Sequence, residues 1–185
     1  MENKKLYIAC ASMMPLMICS GMVYSVLALY ISDLGASATQ IGLVFMTGAS
    51  AGAIMAPIFG KLSDTIGRRP VLLLSMLGFS IVFILYSLIE NLMYVFPIQI
   101  LEGATWVAFG TTATALIADI VPSEKRGWGI GIYDLTWNLG WIIGPALGGF
   151  LADTVGFRTT FLLSSMLIIF GLFIALSFVK ETKKM

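Results

Sequence analysis

The chain has 185 residues, of which 58% are hydrophobic and only 11% charged, with a net charge of +1 and no histidine. Soluble domains carry about 25% charged residues, so this composition excludes a soluble globular enzyme, and its hydrophobicity excludes a disordered chain. The charge balance offers no footprint for nucleic acid, and without histidine there are no imidazole metal sites, triads or pH switches.

A membrane-spanning helix needs about 20 mostly apolar residues. Six such stretches follow one another, at about 6–32, 41–62, 70–90, 93–118, 128–151 and 159–179. The first follows Lys4 and Lys5, as a signal peptide would. Its apolar run is about twice a signal's core of roughly 7–15 residues, so an uncleaved first helix is expected. Cys10 and Cys19 lie in it, roughly 13 Å apart along a helix, which is too far for a disulfide. They read as buried small hydrophobes. Met13, Met17, Ser20 and Tyr24 share one face of this span, and the second span carries Gly48, Gly52 and Pro57.

The third and sixth spans carry no charge within the hydrocarbon, whereas the fourth carries Glu102 and the fifth Asp134. Charge-free spans tolerate lipid while ionisable ones face inward, which places the third and sixth on the outside of the bundle. Gln99, Glu102 and Trp106 align on one face of the fourth span, beside Gly103 and Gly110. On the fifth, Asp134, Trp137, Asn138 and Trp141 stand at i, i+3, i+4 and i+7, which is again one face. A carboxylate, an amide and two indoles together belong in a polar cavity. Tyr24, Gln99, Trp106, Trp137, Asn138 and Trp141 are therefore candidate cavity residues for a small-molecule substrate. Glu102 and Asp134 are proton-coupling candidates, because an intramembrane carboxyl is a proton-relay group by default. A packing role for Glu102, and a pairing of Asp134 with Lys125 or Arg126, fit the same residues. Trp128 reads as an interfacial anchor.

Basic residues set orientation. With both termini inside, Lys4, Lys5, Lys61, Arg68, Arg69, Lys125, Arg126, Lys180, Lys183 and Lys184 are cytoplasmic, and only Arg158 is outside. A multi-pass protein of the cell membrane is expected, with the lipid bilayer as its surroundings and no cofactor or metal.

The segment 60–75, GKLSDTIGRRPVLLLS, returns as 149–164, GFLADTVGFRTTFLLS, with nine identities in sixteen positions at an offset of 89. The first copy lies inside and the second outside. The chain is thus expected to be a single all-α bundle over 1–185, made of two inverted three-helix repeats at about 6–90 and 93–179. Such repeats mark secondary transporters. Rival membrane classes lack their hallmarks: there is no histidine for an intramembrane serine protease, no Asn-Pro-Ala triplet for a water channel, and no third repeat for a mitochondrial-type carrier.

The motifs also carry a family resemblance. Gly60-Lys61-Leu62-Ser63-Asp64-Thr65-Ile66-Gly67-Arg68-Arg69 resembles the signature loop of the major facilitator superfamily, G-x-L-x-D-x-x-G-R-R/K. Asp119-Ile120-Val121-Pro122 with Arg126-Gly127 is similar to that family's connection between helices four and five. The stretch 140–149, GWIIGPALGG, resembles the fifth-helix motif of its proton-coupled drug exporters, carried here by Gly140, Gly144, Pro145, Gly148 and Gly149. These glycines and the proline permit a bend, or a close contact with the second span.

The resemblance implies the N-terminal six-helix half of a major facilitator transporter, with a second six-helix half from another chain or another copy. It implies export of an amphipathic solute against protons. Solute uptake and a non-transporting six-helix module are the alternatives. It further implies a cytoplasmic conformational latch built from Gly60, Asp64, Gly67, Arg68, Arg69 and Asp119, with Arg68 pairing to Asp119 and Asp64 reaching the amides of a helix N-terminus in the other half. One departure stands out. Such exporters carry R-x-x-Q-G in helix four, where this chain has Gln99-Ile100-Leu101-Glu102-Gly103.

Overall fold

Six long helices make up most of the computed structural model, which describes residues 2–182. They are α1 (Glu2–Asp33), α2 (Ala38–Ile66), α3 (Arg68–Leu88), α4 (Val95–Ile120), α5 (Arg126–Val155) and α6 (Phe157–Phe178). Each expected span falls on one of them. Of the residues that set orientation, Lys183 and Lys184 lie outside the described residues. Five helices are long and apolar enough to cross a membrane. The exception is α5, which has 30 residues but is less apolar. Asp134, Asn138 and its many glycines and tryptophans dilute it.

The connections are short and locally encoded. Ser37 opens α2 with a capping box, accepting from the Gln40 amide while the Gln40 side chain accepts from the Ser37 amide. Asn91 caps a short 3-10 turn, Leu92–Tyr94, ahead of α4. A single glycine joins α2 to α3 and another joins α5 to α6. Gly67 (φ 108°, ψ 161°) and Gly156 (φ 83°, ψ 163°) adopt nearly the same conformation, in a region that is essentially reserved for glycine. Their amides bond back to the Ser63 and Ala152 carbonyls, at 3.2 and 3.1 Å.

α1 packs chiefly along α5 and α6, α4 along α2 and α3, and α3 lies against α6. The core is shared between the middle of α1 (Met13, Leu16, Met17, Val23), the inner face of α3 (Phe79, Phe83, Tyr86) and Phe109 and Phe161. α3 and α6 each bury one face and present apolar side chains outward, among them Leu74, Ile81, Phe170 and Phe173. Cys10 and Cys19 are free and buried.

Two seams bring backbones unusually close. A Cβ added at Gly140, Gly144 or Gly148 would lie 2.3–2.9 Å from backbone atoms of α1 between Met17 and Met22. The fifth-helix glycines therefore pack on α1, not on the second span as the sequence reading allowed, and Gly149 meets nothing within 4 Å. On the other side, a Cβ at Gly103 of α4 would sit 2.0 Å from the Gly48 carbonyl oxygen of α2.

The antiparallel α3 and α6 are clasped at both ends. Arg69, near the start of α3, donates to the Leu176 carbonyl near the end of α6 at 2.7 Å. Arg158, near the start of α6, donates to the Ile89 carbonyl just past α3 at 3.1 Å and pairs with Glu90 at 3.4 Å. A cation is favourable at the negative, carbonyl-bearing end of a helix.

Candidate functional site

Tyr24 of α1, Gln99 and Trp106 of α4, and Trp141 of α5 line a groove of about 340 Å³, floored by Gly48 and Gly52 of α2. Its wall is an aromatic stack. Tyr24 meets Trp106 edge-on at 5.4 Å and Trp141 at 6.2 Å, and Trp137 stands edge-on against Trp106 at 5.0 Å. Helical spacing put these rings on common faces; only the crossing of α1, α4 and α5 brings the faces together. The groove suits a flat or amphipathic molecule, with apolar contact from the rings and a polar contact from Gln99.

Trp137 supports the wall from behind. Asp134 and Asn138 sit on the exposed face of α5, and Asn138 donates to the Asp134 backbone carbonyl at 2.7 Å. Asp134 makes no ion pair among the described residues. Arg126 instead donates to the Ala118 carbonyl at 3.3 Å.

Glu102 is completely buried, one helical turn from Gln99. Its Oε2 lies 2.7 Å from the Tyr86 hydroxyl, which also lies 2.6 Å from Gln99 Oε1. Tyr24 interacts with the same carboxyl from α1, while its Oε1 makes no full hydrogen bond. No arginine or lysine pairs with Glu102 among the described residues. Its polar contacts are the phenols of Tyr86 and Tyr24, and an intramembrane carboxyl so placed is a candidate proton site. Tyr86 was not singled out from the sequence. The signal was available, since a phenol inside a charge-free span must find an acceptor when buried.

A second cluster occupies the end of the bundle where the start of α1 lies near Glu181 and Thr182. Arg68 pairs with Asp64, donates to Ser63 Oγ at 3.0 Å and reaches Asp119 Oδ2 at 3.2 Å. Arg69 is turned away into the α3–α6 clasp, outside this cluster. The amides of Arg68 and Arg69, which open α3, donate to the two Glu181 oxygens at 2.9 and 3.0 Å. Thr182 donates to Asp119 at 3.2 Å. Glu181 had no sequence signal, because a cap delivered from 112 residues away has no local pattern. Replacing Glu181 with alanine is expected to destabilise the bundle by about 1 kcal/mol, since it removes a carboxylate cap from a helix N-terminus. Denaturant unfolding in detergent micelles followed by circular dichroism measures this; an unchanged midpoint would remove the cap from the stabilising contacts.

The chain is similar to known proteins in sequence and in fold. The model of the Major Facilitator Superfamily matches residues 9–185. The chain is 30% identical over 164 residues to the multi-drug resistance efflux pump PmrA of Streptococcus pneumoniae, covering 86% of this chain and 41% of that protein. It is 34% identical over 165 residues to the multidrug resistance protein MdtG of Proteus mirabilis, again 86% of this chain and 41% of the other. Among solved structures, that of the human organic anion transporter MFSD10 superposes with a TM-score of 0.81 at 17% identity, over 99% of this chain and 49% of the other. The chain thus spans about two-fifths of these two relatives and about half of the solved structure.

Proposed function

This chain belongs to the Major Facilitator Superfamily, a family of membrane transporters and not of enzymes, and we propose that it forms one six-helix half of a secondary transporter exporting a small amphipathic solute in exchange for protons. The observation that carries this reading is the aromatic groove backed by a fully buried carboxyl. The groove provides apolar contact area, and Glu102 provides a proton site one helical turn from Gln99 in the wall.

The bundle is read as two inverted repeats, about 6–90 and 93–179. Exchanging α1–α3 with α4–α6 leaves the packing scheme unchanged: α1 on α5 becomes α4 on α2, α1 on α6 becomes α4 on α3, and α3 on α6 maps to itself. The equivalent glycines Gly67 and Gly156 share one backbone conformation, and the equivalent arginines Arg69 and Arg158 clasp opposite ends of the α3–α6 pair. The basic residues favour an orientation with both termini in the cytoplasm.

A second six-helix half supplies the missing wall, from another chain or another copy of this one. Asp134 and Asn138 support this. A carboxylate on the outward face of a membrane helix is costly in lipid, and facing a second bundle across an aqueous cavity removes that cost. The Asp64–Arg68–Asp119 cluster then acts as the cytoplasmic latch. It ties the α2–α3 turn to the inner end of α4, and its rearrangement accompanies the change of access.

The test is transport by the protein in proteoliposomes under an imposed pH gradient, with ethidium as the solute. Gradient-dependent ethidium movement that a protonophore collapses is the expected result. Movement no faster than in empty liposomes would overturn the reading.

A further inference from the structure

One hydroxyl stands between two acceptors in the core. The Tyr86 oxygen lies 2.6 Å from Gln99 Oε1 and 2.7 Å from Glu102 Oε2. A phenol has a single proton to donate and lone pairs to accept with, so it donates to one of these neighbours and accepts from the other. Two arrangements satisfy all three groups. With a proton on Glu102, the carboxyl donates to Tyr86 and Tyr86 donates to Gln99 Oε1. Without that proton, Tyr86 donates to the carboxylate, and Gln99 must turn its amide over so that Nε2 donates to Tyr86. The terminal amide torsion has two wells of nearly equal shape, so the reversal needs little space. Leaving the amide unturned would set two oxygen lone pairs against each other at hydrogen-bond distance.

The far end of the same amide faces the groove. Gln99 Nε2 packs on Gly48, where an added Cβ would lie 2.5 Å from it, and both residues line the groove. Whatever the amide gives to Tyr86, it withholds from the groove. We propose that Gln99 is the positioning residue that converts proton occupancy of Glu102 into a change of hydrogen-bond polarity at the groove wall, which offers N–H when Glu102 is protonated and C=O when it is not. This rests on the reading of Glu102 as the proton site. It narrows the solute to an organic cation bearing N–H donors, which binds the carbonyl-presenting, ionised state and is released when a proton returns. Among the described residues, the titratable groups that act on the carboxyl are Tyr24 from α1 and Tyr86 from α3, and α2 lines the groove with uncharged residues.

The experiment compares two cations in the full protein in lipid nanodiscs, ethidium with its aromatic amines and tetraphenylphosphonium without donors. Charge alone makes both affinities rise together with pH, by up to about tenfold per unit for one linked proton. The amide reversal adds a donor-specific gain, so the ethidium-to-tetraphenylphosphonium affinity ratio is expected to rise by on the order of tenfold between about pH 6 and about pH 9. Gln99→Met should flatten the ratio while both cations keep their common pH dependence, and Glu102→Gln should flatten both. A constant ratio in the unmodified protein overturns the relay alone, whether or not the methionine variant folds. Unaltered pH dependence of both cations in Glu102→Gln overturns the proton site beneath it.

Discussion

Glu102→Gln is expected to abolish uphill transport while leaving downhill solute exchange in place. The carboxyl is fully buried and the groups around it are uncharged: Tyr86, Tyr24 and, through Tyr86, Gln99. Glutamine has the same shape and still offers a donor and an acceptor to Tyr86, so the helices keep their register. What it lacks is a removable proton. For one coupled proton, each pH unit of gradient is worth about 1.4 kcal/mol, or about tenfold in solute accumulation. Proteoliposomes carrying the native protein should therefore concentrate ethidium against its gradient, and those carrying the variant should stop at equilibrium. An unchanged unfolding midpoint in the variant separates loss of coupling from loss of fold. Accumulation at the native level by the glutamine variant would remove Glu102 from the coupling mechanism.

The second large effect concerns the seam between α2 and α4. An alanine methyl at Gly103 would sit 2.0 Å from the Gly48 carbonyl oxygen and 3.1 Å from the Gly48 Cα. Both are backbone atoms, so no rotamer change relieves the contact and α2 must move away bodily. Overpacking of this kind costs about 1–3 kcal/mol and more where backbone must shift. The displacement also pulls Gly48 off the Gln99 amide and opens the groove. Gly103→Ala is expected to lower the unfolding free energy in detergent by at least about 2 kcal/mol and to weaken ethidium binding. Gly110 and Gly149 are the internal controls, since a Cβ at either meets nothing within 4 Å. Alanine there removes helical glycine and should be neutral or stabilising by up to about 1 kcal/mol. Equal effects at Gly103 and Gly110 would mean that helix propensity and not the seam sets stability.

Legibility of the site followed the range of the interactions. Tyr24, Gln99, Trp106 and Trp141 could be nominated because i, i+3 and i+4 spacing is a property of one helix. That spacing does not say which face meets which. Asp134 and Asn138 share a face with Trp141, and all three stand on exposed α5 surface, but only Trp141 lines the groove. Tyr86 was passed over although it bridges the two polar groups of α4. Arg69, grouped with the latch by its motif, turns instead to the Leu176 carbonyl. The fifth-helix glycines announced a close approach, but their partner, α1 between Met17 and Met22, is set by how the helices cross.

By itself the sequence determined that the chain is six long, mostly apolar stretches with short connections, because helix formation and hydropathy are local properties. It also determined the repeated loop, because nine identities at a fixed offset need no third dimension to be seen. Only the tertiary structure decided which polar groups share a hydrogen bond, which arginine clasps and which pairs, and which end of α3 receives the Glu181 cap. Those choices depend on how the helices cross and which side chains the crossings bring within reach. In an apolar surrounding a polar group takes whichever partner the packing delivers, since leaving it unpaired costs more than any local preference can supply.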